Sequence, residues 1–407
     1  MRSADKNIRL AVTGMGILCS IGRNCDEVWR SIEECRDGID TLSKFEGETF
    51  PTDIAAEVED DLVALMGLKK SDLRRFSRTD LLAVAAAREA LAQAEQDAPL
   101  PRGRGIVSSG SSTGGLLEGE DFYFKRLVRG RLRTPTSRVL QQPTSGPSDA
   151  VARLLGLGGG VFSNATACAS AGAAIGLAAD LLRSHHADVA FAGGSDALCR
   201  LTYSGFNVLQ AVDSKPCRPF DENRKGITMG EGAAYLVIER WDDAVKRGAK
   251  ILAELCGYGA SCDAHHPTAP IEDGRGASAV MRLAFADSSV LSSDIDYINA
   301  HGTGTLLNDS AESRAIENSI GIHVPVSSTK SYFGHTLGAS GALEAVVTIL
   351  ALQNQLAPPT LRHESQPASC KLDYIPGAPR PMVMRTALSN TFGFGGSNVS
   401  VIFKAVV

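Results

Sequence analysis

The chain has 407 residues, 43% of them hydrophobic and 21% charged, with a formal net charge of −5. That length and apolar content allow two core-forming units, or one large domain built from two halves, and exclude a disordered chain. The acidic balance argues against a nucleic-acid partner, which needs a concentrated basic surface.

From the N-terminus the chain enters a strand-like Ile8-Arg9-Leu10-Ala11-Val12 where a cleavable apolar segment would otherwise stand. No run of about 18 apolar residues follows, so a soluble, unexported protein with no membrane partner is expected. Strands are predicted over Leu10–Thr13, Arg104–Ser108, Asp188–Ala192, Ala233–Glu239, Tyr297–Ala300 and Val324–Ser327. Helices are predicted over Thr79–Glu95, Ala169–Ser184, Asp309–Ile320 and Gly341–Gln353. This alternation is the pattern of a layered α/β fold. Two basic clusters interrupt the acidic chain: Lys69, Lys70, Arg74, Arg75 and Arg78, then Lys125, Arg126, Arg129, Arg131 and Arg133. They read either as solvated faces or as a docking surface for an acidic partner.

A looser internal symmetry is visible. Ser163 to Leu182 runs from a strand end through a reactive residue into a small-residue helix, and Ser327 to Leu352 repeats that plan with His335 ahead of Gly338-Ala339-Ser340-Gly341-Ala342. The expected division is 1–257 and 258–407, with the join near Gly257 to Ser261. A coincidence of Ala/Gly-rich composition would give the same appearance.

The first candidate for covalent chemistry is Cys168, followed at once by Ala169-Ser170-Ala171-Gly172-Ala173-Ala174. Small side chains let a helix sink into a core while its first turn stays open to substrate. A cysteine at a helix N-terminus meets unpaired N–H groups and the positive end of the macrodipole, so a thiolate is expected. The other eight cysteines form no Cys-x-x-Cys pair. An odd total of nine without a signal peptide suits a reducing cytoplasm.

Three further segments read as loops carrying polar groups from strand ends: Asn299 to Thr305, Ser327 to His335, and Asn390 to Asn398. His301 and His335 each follow a strand-like run beside glycine, so the backbone can turn tightly and a substrate can approach. His185, His186, His323 and His363 lie in polar or helical surroundings and read as structural. One cysteine and two histidines can supply a nucleophile with proton-transfer and oxyanion-stabilising partners. No metal-ligand spacing such as His-Glu-x-x-His occurs.

Taken in order, Val12-Thr13-Gly14-Met15-Gly16, Thr166-Ala167-Cys168-Ala169-Ser170, Ala192-Gly193-Gly194-Ser195-Asp196, Arg218-Pro219-Phe220-Asp221, Gly230-Glu231-Gly232-Ala233, Ala300-His301-Gly302-Thr303-Gly304-Thr305, Ser328-Thr329-Lys330-Ser331, Gly334-His335 and Phe392-Gly393-Phe394-Gly395-Gly396-Ser397-Asn398 form a specific set. With them the chain resembles the elongating β-ketoacyl-acyl carrier protein synthases of fatty-acid and polyketide assembly. The resemblance implies a thiolase-like fold, two related βαβαβ-type halves in an αβαβα arrangement. The first half would carry the nucleophile and the second the two histidines and the lysine.

By the same resemblance, Cys168 is the acylated nucleophile, and His301 and His335 hold the malonyl thioester carbonyl and its enolate. Lys330 organises the histidines, Glu344 fixes the surrounding hydrogen bonds, and the N–H groups of Cys168 and Phe394 form an oxyanion hole. Thr303 and Thr305 bind the pantetheine arm, with Phe392, His266 and Thr268 as further substrate contacts. Lys69, Lys70, Arg74, Arg75, Arg131 and Arg133 would dock an acidic acyl carrier protein. The phosphopantetheine arrives on that carrier, so no tightly bound cofactor is implied. A homodimer is implied, through Ala187 to Gly194 as an interface strand, with a heterodimer with a related subunit as the variant form.

Departures fall where substrate choice is tuned. Thr113 stands where relatives carry a larger apolar residue at the far end of the acyl pocket. Its hydroxyl needs a partner if buried. Leu201 to Phe206 and Asp263 to Pro267 are also unusual. A pocket-shaping chain-length-factor subunit is disfavoured by the presence of Cys168, His301 and His335. A thiolase or other enzyme acting on coenzyme A esters is disfavoured because the last cysteine, Cys370, lies in a Pro/Ser-rich loop.

Overall fold

A computed structural model describes residues 7–45, 48–59, 75–130 and 135–406. Ten strands form the main sheet: β1 (Leu10–Cys19), β2 (Gly105–Gly110), β3 (Val161–Asn164), β4 (Val189–Asp196), β5 (Gly232–Arg240), β6 (Ala253–Cys262), β7 (Tyr297–Asn299), β8 (Val326–Ser327), β9 (Thr386–Gly393) and β10 (Ser397–Lys404). Their spatial order is β8-β7-β9-β10-β6-β1-β5-β4-β2-β3.

The order is two copies of one plan. Within β1–β5 the sequence across the sheet is third, second, fourth, fifth, first, and β6–β10 repeat it. Pairing directions repeat as well: β2 is parallel to β3 and β4 as β7 is to β8 and β9, while the last two strands of each half run antiparallel. Within the sheet the halves meet where β1 pairs with β6, from Leu10↔Leu255 to Val12↔Ala253. Gly257 itself falls inside β6, which pairs with β10 along most of its length.

Helices fill three layers around these strands. Helix α1 (Arg78–Ala94) covers β1 and β5 on one outside, and α4 (Arg275–Ser288) with α5 (Leu306–Ser319) covers the other. Between the halves lie α3 (Ser170–Arg183) and α6 (Ser340–Asn354), each touching strands of both halves. Helix α2 (Leu116–Tyr123) packs against the short helical turn Thr136–Gln141. The small residues of α3 are what allow this central packing. A Cβ on Gly176 would sit 2.3 Å from the ring of Tyr258, and one on Gly341 would come within 2.9 Å of the Gly172 backbone. Most of α6 is buried as well, which explains its near-continuous apolar sequence. The 18-residue stretch Leu337–Asn354 has the length and apolarity to cross a membrane, yet 89% of it is buried inside the protein, as a core helix should be.

Two expectations need correction. Ala187 to Gly194 is not an interface strand: β4 lies inside the sheet between β2 and β5 with all its residues buried. The edge on this side of the sheet is β3, a short strand in which exposed Val161 and Ser163 alternate with half-buried Phe162 and Asn164. The segment Asn390 to Asn398 is a hairpin, not a single loop, because β9 and β10 pair up to Gly393↔Ser397 and leave only Phe394-Gly395-Gly396 at the tip. Gly395 and Gly396, with φ of 81° and 79°, make that tip possible.

Candidate active site

The segments carrying Cys168, His301, Lys330 with His335, and Phe392 with Phe394 follow or close the C-terminal ends of β3, β7, β8 and β9. Those strands are parallel within each half, so their carboxyl ends open on one side, where ligands bind in α/β sheets. β3 and β8 occupy the same topological position in the two halves. The cysteine turn and the Lys330–His335 turn are therefore structural counterparts, each feeding one of the two central helices.

Cys168 sits in a tight turn two residues before α3. Ala167 just before it has φ of 49°, a left-handed conformation that costs an L-residue about 1–3 kcal/mol. Ser112 Oγ and Ser170 Oγ both donate to the Ala167 carbonyl, at 3.0 and 2.6 Å, and hold it there. Cys168 is only 6% exposed. Burial pushes its thiol up to about 11, while Lys330 and the N–H groups of Phe394 and of Cys168 itself pull it the other way. The resting sulfur is thus a thiol, which corrects the expectation of a thiolate: desolvation outweighs the helix terminus. Those same two N–H groups converge on the sulfur, the arrangement an oxyanion hole requires.

The histidines are fixed in one tautomer. Lys330 Nζ donates to His301 Nδ1 at 3.1 Å and to the His301 carbonyl at 2.7 Å, and it pairs with the buried Glu344 carboxylate. Leu337 N–H donates to His335 Nδ1 at 3.1 Å, and Ser340 Oγ lies 3.0 Å from the same atom. With both Nδ1 atoms accepting, the ring protons are on Nε2. Desolvation, and next the Lys330 charge, hold both histidines well below the usual imidazole range, so they are neutral at pH 7. The rings lie 5.4 Å apart at 86°, and with Cys168, Phe392 and Phe394 they line one cavity of about 310 Å³.

Thr303, Thr305 and Thr268 line the same cavity. Thr305 also caps α5 by accepting from Asn308 N–H, and its hydroxyl lies 2.9 Å from that of Thr303. His266 does not line it. Its Nδ1 instead accepts from the N–H groups of Thr268 and Ala269, holding the turn that brings Thr268 in. The unusual 263–267 segment clamps the β9–β10 tip: Gly395 N–H donates to the Pro267 carbonyl at 2.7 Å and Asp263 N–H to that of Gly396 at 2.8 Å. The other unusual stretch, 201–206, supplies Phe206, which stacks on Phe394 at 5.5 Å. Cys370 is buried away from the cavity, its Sγ on the Asp309 carbonyl.

Thr113 is buried but is not among the residues of this cavity. Its hydroxyl donates to Asp196 at 2.8 Å, so its polarity is spent on the fold. Lys69, Lys70, Arg74, Arg131 and Arg133 lie outside the described residues, and Arg75 is exposed. Arg78, by contrast, forms a 2.7 Å ion pair with the buried Glu231, so it belongs to the core and not to a docking face.

Sequence reading missed two positioning residues. Asp196 accepts from Ser111, from the N–H groups of Ser112 and Thr113, from the Thr113 hydroxyl and from Gly338 N–H, tying the cysteine turn's neighbour to the His335 turn. Glu312 accepts the N–H groups of His301 and Gly302 at 2.9 and 2.8 Å, which orients the His301 turn. Both carboxylates are fully buried, and burial raises that of Glu312 to about 7.

Residues 7–244 match the family model for the N-terminal domain of β-ketoacyl synthase, and residues 252–364 match that for its C-terminal domain. The chain is 37% identical to 3-oxoacyl-[acyl-carrier-protein] synthase 2 of Synechocystis sp., covering 97% of this chain and 98% of the relative. It is 37% identical to nodulation protein E of Rhizobium meliloti over 98% of this chain and 99% of that one. Among solved structures, the ishigamide ketosynthase/chain length factor superposes with a TM-score of 0.92 at 33% identity, covering 98% of this chain and all of that one. A β-ketoacyl synthase from Burkholderia phymatum superposes with a TM-score of 0.90 at 33% identity over the same shares. With its cysteine and two histidines in one cavity and both domain models matched, the chain belongs to the β-ketoacyl synthase family, the thiolase-like condensing enzymes.

Proposed function

We propose that the protein condenses an acyl group held on Cys168 with malonyl-acyl carrier protein, releasing CO₂ and leaving a 3-oxoacyl chain on the carrier. The observation that carries this reading is the fixed tautomer of the two histidines, which aims two neutral Nε2–H donors into the cysteine cavity. Such donors suit an enolate oxygen and need no metal.

In the first half-reaction the Cys168 sulfur attacks the acyl thioester of a carrier-borne phosphopantetheine. The oxyanion forms on the N–H groups of Cys168 and Phe394, and the pantetheine sulfur leaves with the proton that Cys168 gives up. In the second, the malonyl carboxylate departs as CO₂ and its bonding pair becomes the enolate, whose oxygen accepts from His301 and His335. The enolate carbon attacks the acyl carbonyl and the Cys168 sulfur is expelled, to be reprotonated by solvent. Lys330, Glu344, Glu312 and Asp196 act by positioning. Thr303, Thr305, Thr268 and Phe392 contact the arm and the acyl chain. The phosphopantetheine belongs to the substrate, so no resident cofactor is required.

Further parts of the reading concern partners. Arg75, with Lys69, Lys70, Arg74, Arg131 and Arg133, steers the acidic carrier. A second subunit, identical or related, pairs at the β3 edge; this is supported by Val161 at 41% exposure, and exposed Tyr123, Phe124, Leu127 and Val128 offer further apolar surface. A cytoplasmic setting is supported by nine free cysteines. The two halves, divided near 257, would descend from one unit, a reading supported by the repeated strand order. A chain-length-factor role fits poorly with a site that retains Cys168 and both histidines. Intact-mass measurement after exposure to a panel of acyl-carrier proteins tests the function: one acyl adduct, lost in Cys168→Ala, is expected, and no adduct with any donor would reject it.

A further inference from the structure

The cavity has two ends of different chemistry. Cys168, His301 and His335 are buried, whereas Leu209, Lys225, Leu306 and Leu307 on the same lining are exposed, the three leucines at 55 to 59%. These exposed residues form the mouth. Among the described residues, Lys225 is the single Lys or Arg side chain of the lining, and no carboxylate pairs with it. The one acidic lining residue, Asp263, is engaged elsewhere: its Oδ1 accepts from Asn398 Nδ2 at 2.6 Å. An unpaired ammonium between apolar rim residues is well placed to meet an anion on an otherwise uncharged chain.

An acyl-pantetheine arm has that layout. Its thioester must reach Cys168, its amides and methylenes are neutral, and its first negative charge is the phosphate at the end remote from sulfur. Resting on the carrier-dependent reading above, we propose that Lys225 is the phosphate anchor of the cavity mouth, binding the phosphodiester that joins the pantetheine arm to its carrier. Leu209, Leu306 and Leu307 flank the arm as it enters. Lys225 therefore selects phosphorylated arms and acts on capture of the donor, not on the chemistry at Cys168.

The test is the rate of Cys168 acylation, read by intact mass, with three donors of one acyl group: acyl-carrier protein, acyl-S-phosphopantetheine and acyl-S-pantetheine. At low salt the native protein should prefer the phosphorylated small donor over the unphosphorylated one by about 5- to 10-fold in kcat/KM, the size of one partly solvated charge pair. Lys225→Ala should abolish that preference and slow the carrier donor by a similar factor, Lys225→Glu should reverse it, and Lys225→Arg should keep it. Acylation by acyl-S-pantetheine should stay unchanged in all three variants, which also shows that they are folded. Equal reactivity of the two small donors with native protein, equal loss with all donors, or loss confined to the carrier donor would each overturn the phosphate assignment. Absence of acylation with every donor would instead reject the condensing function itself.

Discussion

Lys330 Nζ lies 3.1 Å from His301 Nδ1 while the same ammonium pairs with Glu344. One buried cation thus sets the tautomer of His301, lowers the proton affinity of both histidines and opposes the burial that raises the Glu344 carboxyl to about 7.

Lys330→Ala should therefore do more than remove a charge. Malonyl decarboxylation should fall by roughly 10²-fold, the scale of losing one aligned oxyanion donor. The pH profile should change in a defined direction. In the native site both histidines stay neutral until the pH is well below 6.5; without the Lys330 charge their proton affinity rises, so the acid limb of decarboxylation moves to higher pH. An unshifted acid limb would show that Lys330 does not tune the histidines.

The Cys168 thiol, pushed up to about 11, predicts slow alkylation near neutrality. Peptide mapping after iodoacetamide should show Cys168 modification rising about tenfold per pH unit through pH 9, while the exposed Cys262 reacts much faster at pH 7 to 8. A plateau for Cys168 near pH 7 would favour the helix-terminus argument instead. The linked effect on stability has a definite sign. The folded state keeps this proton more tightly than the unfolded chain, whose thiol has the ordinary value of 9.0, so the contribution is complete below pH 9 and is lost as pH climbs through about 11.

Thr113→Val should cost about 1–2 kcal/mol of stability by removing a donor from the buried Asp196 carboxylate, as measured by denaturant unfolding. Its acyl-chain profile should match that of the native protein, because the threonine does not line the described cavity. A shifted profile at unchanged stability would restore Thr113 to the substrate pocket.

The parts of the site legible in sequence were those whose function is written locally. Cys168 before a small-residue helix, and His301 and His335 beside glycines, carry their geometry within a few residues. Asp196 does not, because its work is to receive N–H groups from turns far away in the chain, the Ser112 turn 84 residues before it being one; Glu312 receives those of His301 and Gly302, 11 and 10 residues before it, only because α5 folds back beside that turn. The thiolate expectation failed because the helix terminus is local, whereas the desolvation that outweighs it appears only when both halves close over Cys168. The interface strand was misplaced for a related reason. Small apolar residues such as Ala190 to Gly194 suit both a sheet interior and an interface, and only the complete strand order assigns the edge to Val161–Asn164. Arg78 resembled its cationic neighbours in sequence, and only Glu231, 153 residues on, reveals its burial.

The central claim is that acyl transfer and decarboxylation use different residues of one cavity. The most direct test measures CO₂ release from malonyl-carrier protein and 3-oxoacyl product for Cys168→Ala beside His335→Ala. Cys168→Ala should form no condensation product yet still release CO₂, because both Nε2–H donors remain in place, and His335→Ala should lose CO₂ release by about 10²-fold or more. Condensation at the native rate by Cys168→Ala, or CO₂ release undiminished in His335→Ala, would contradict the account.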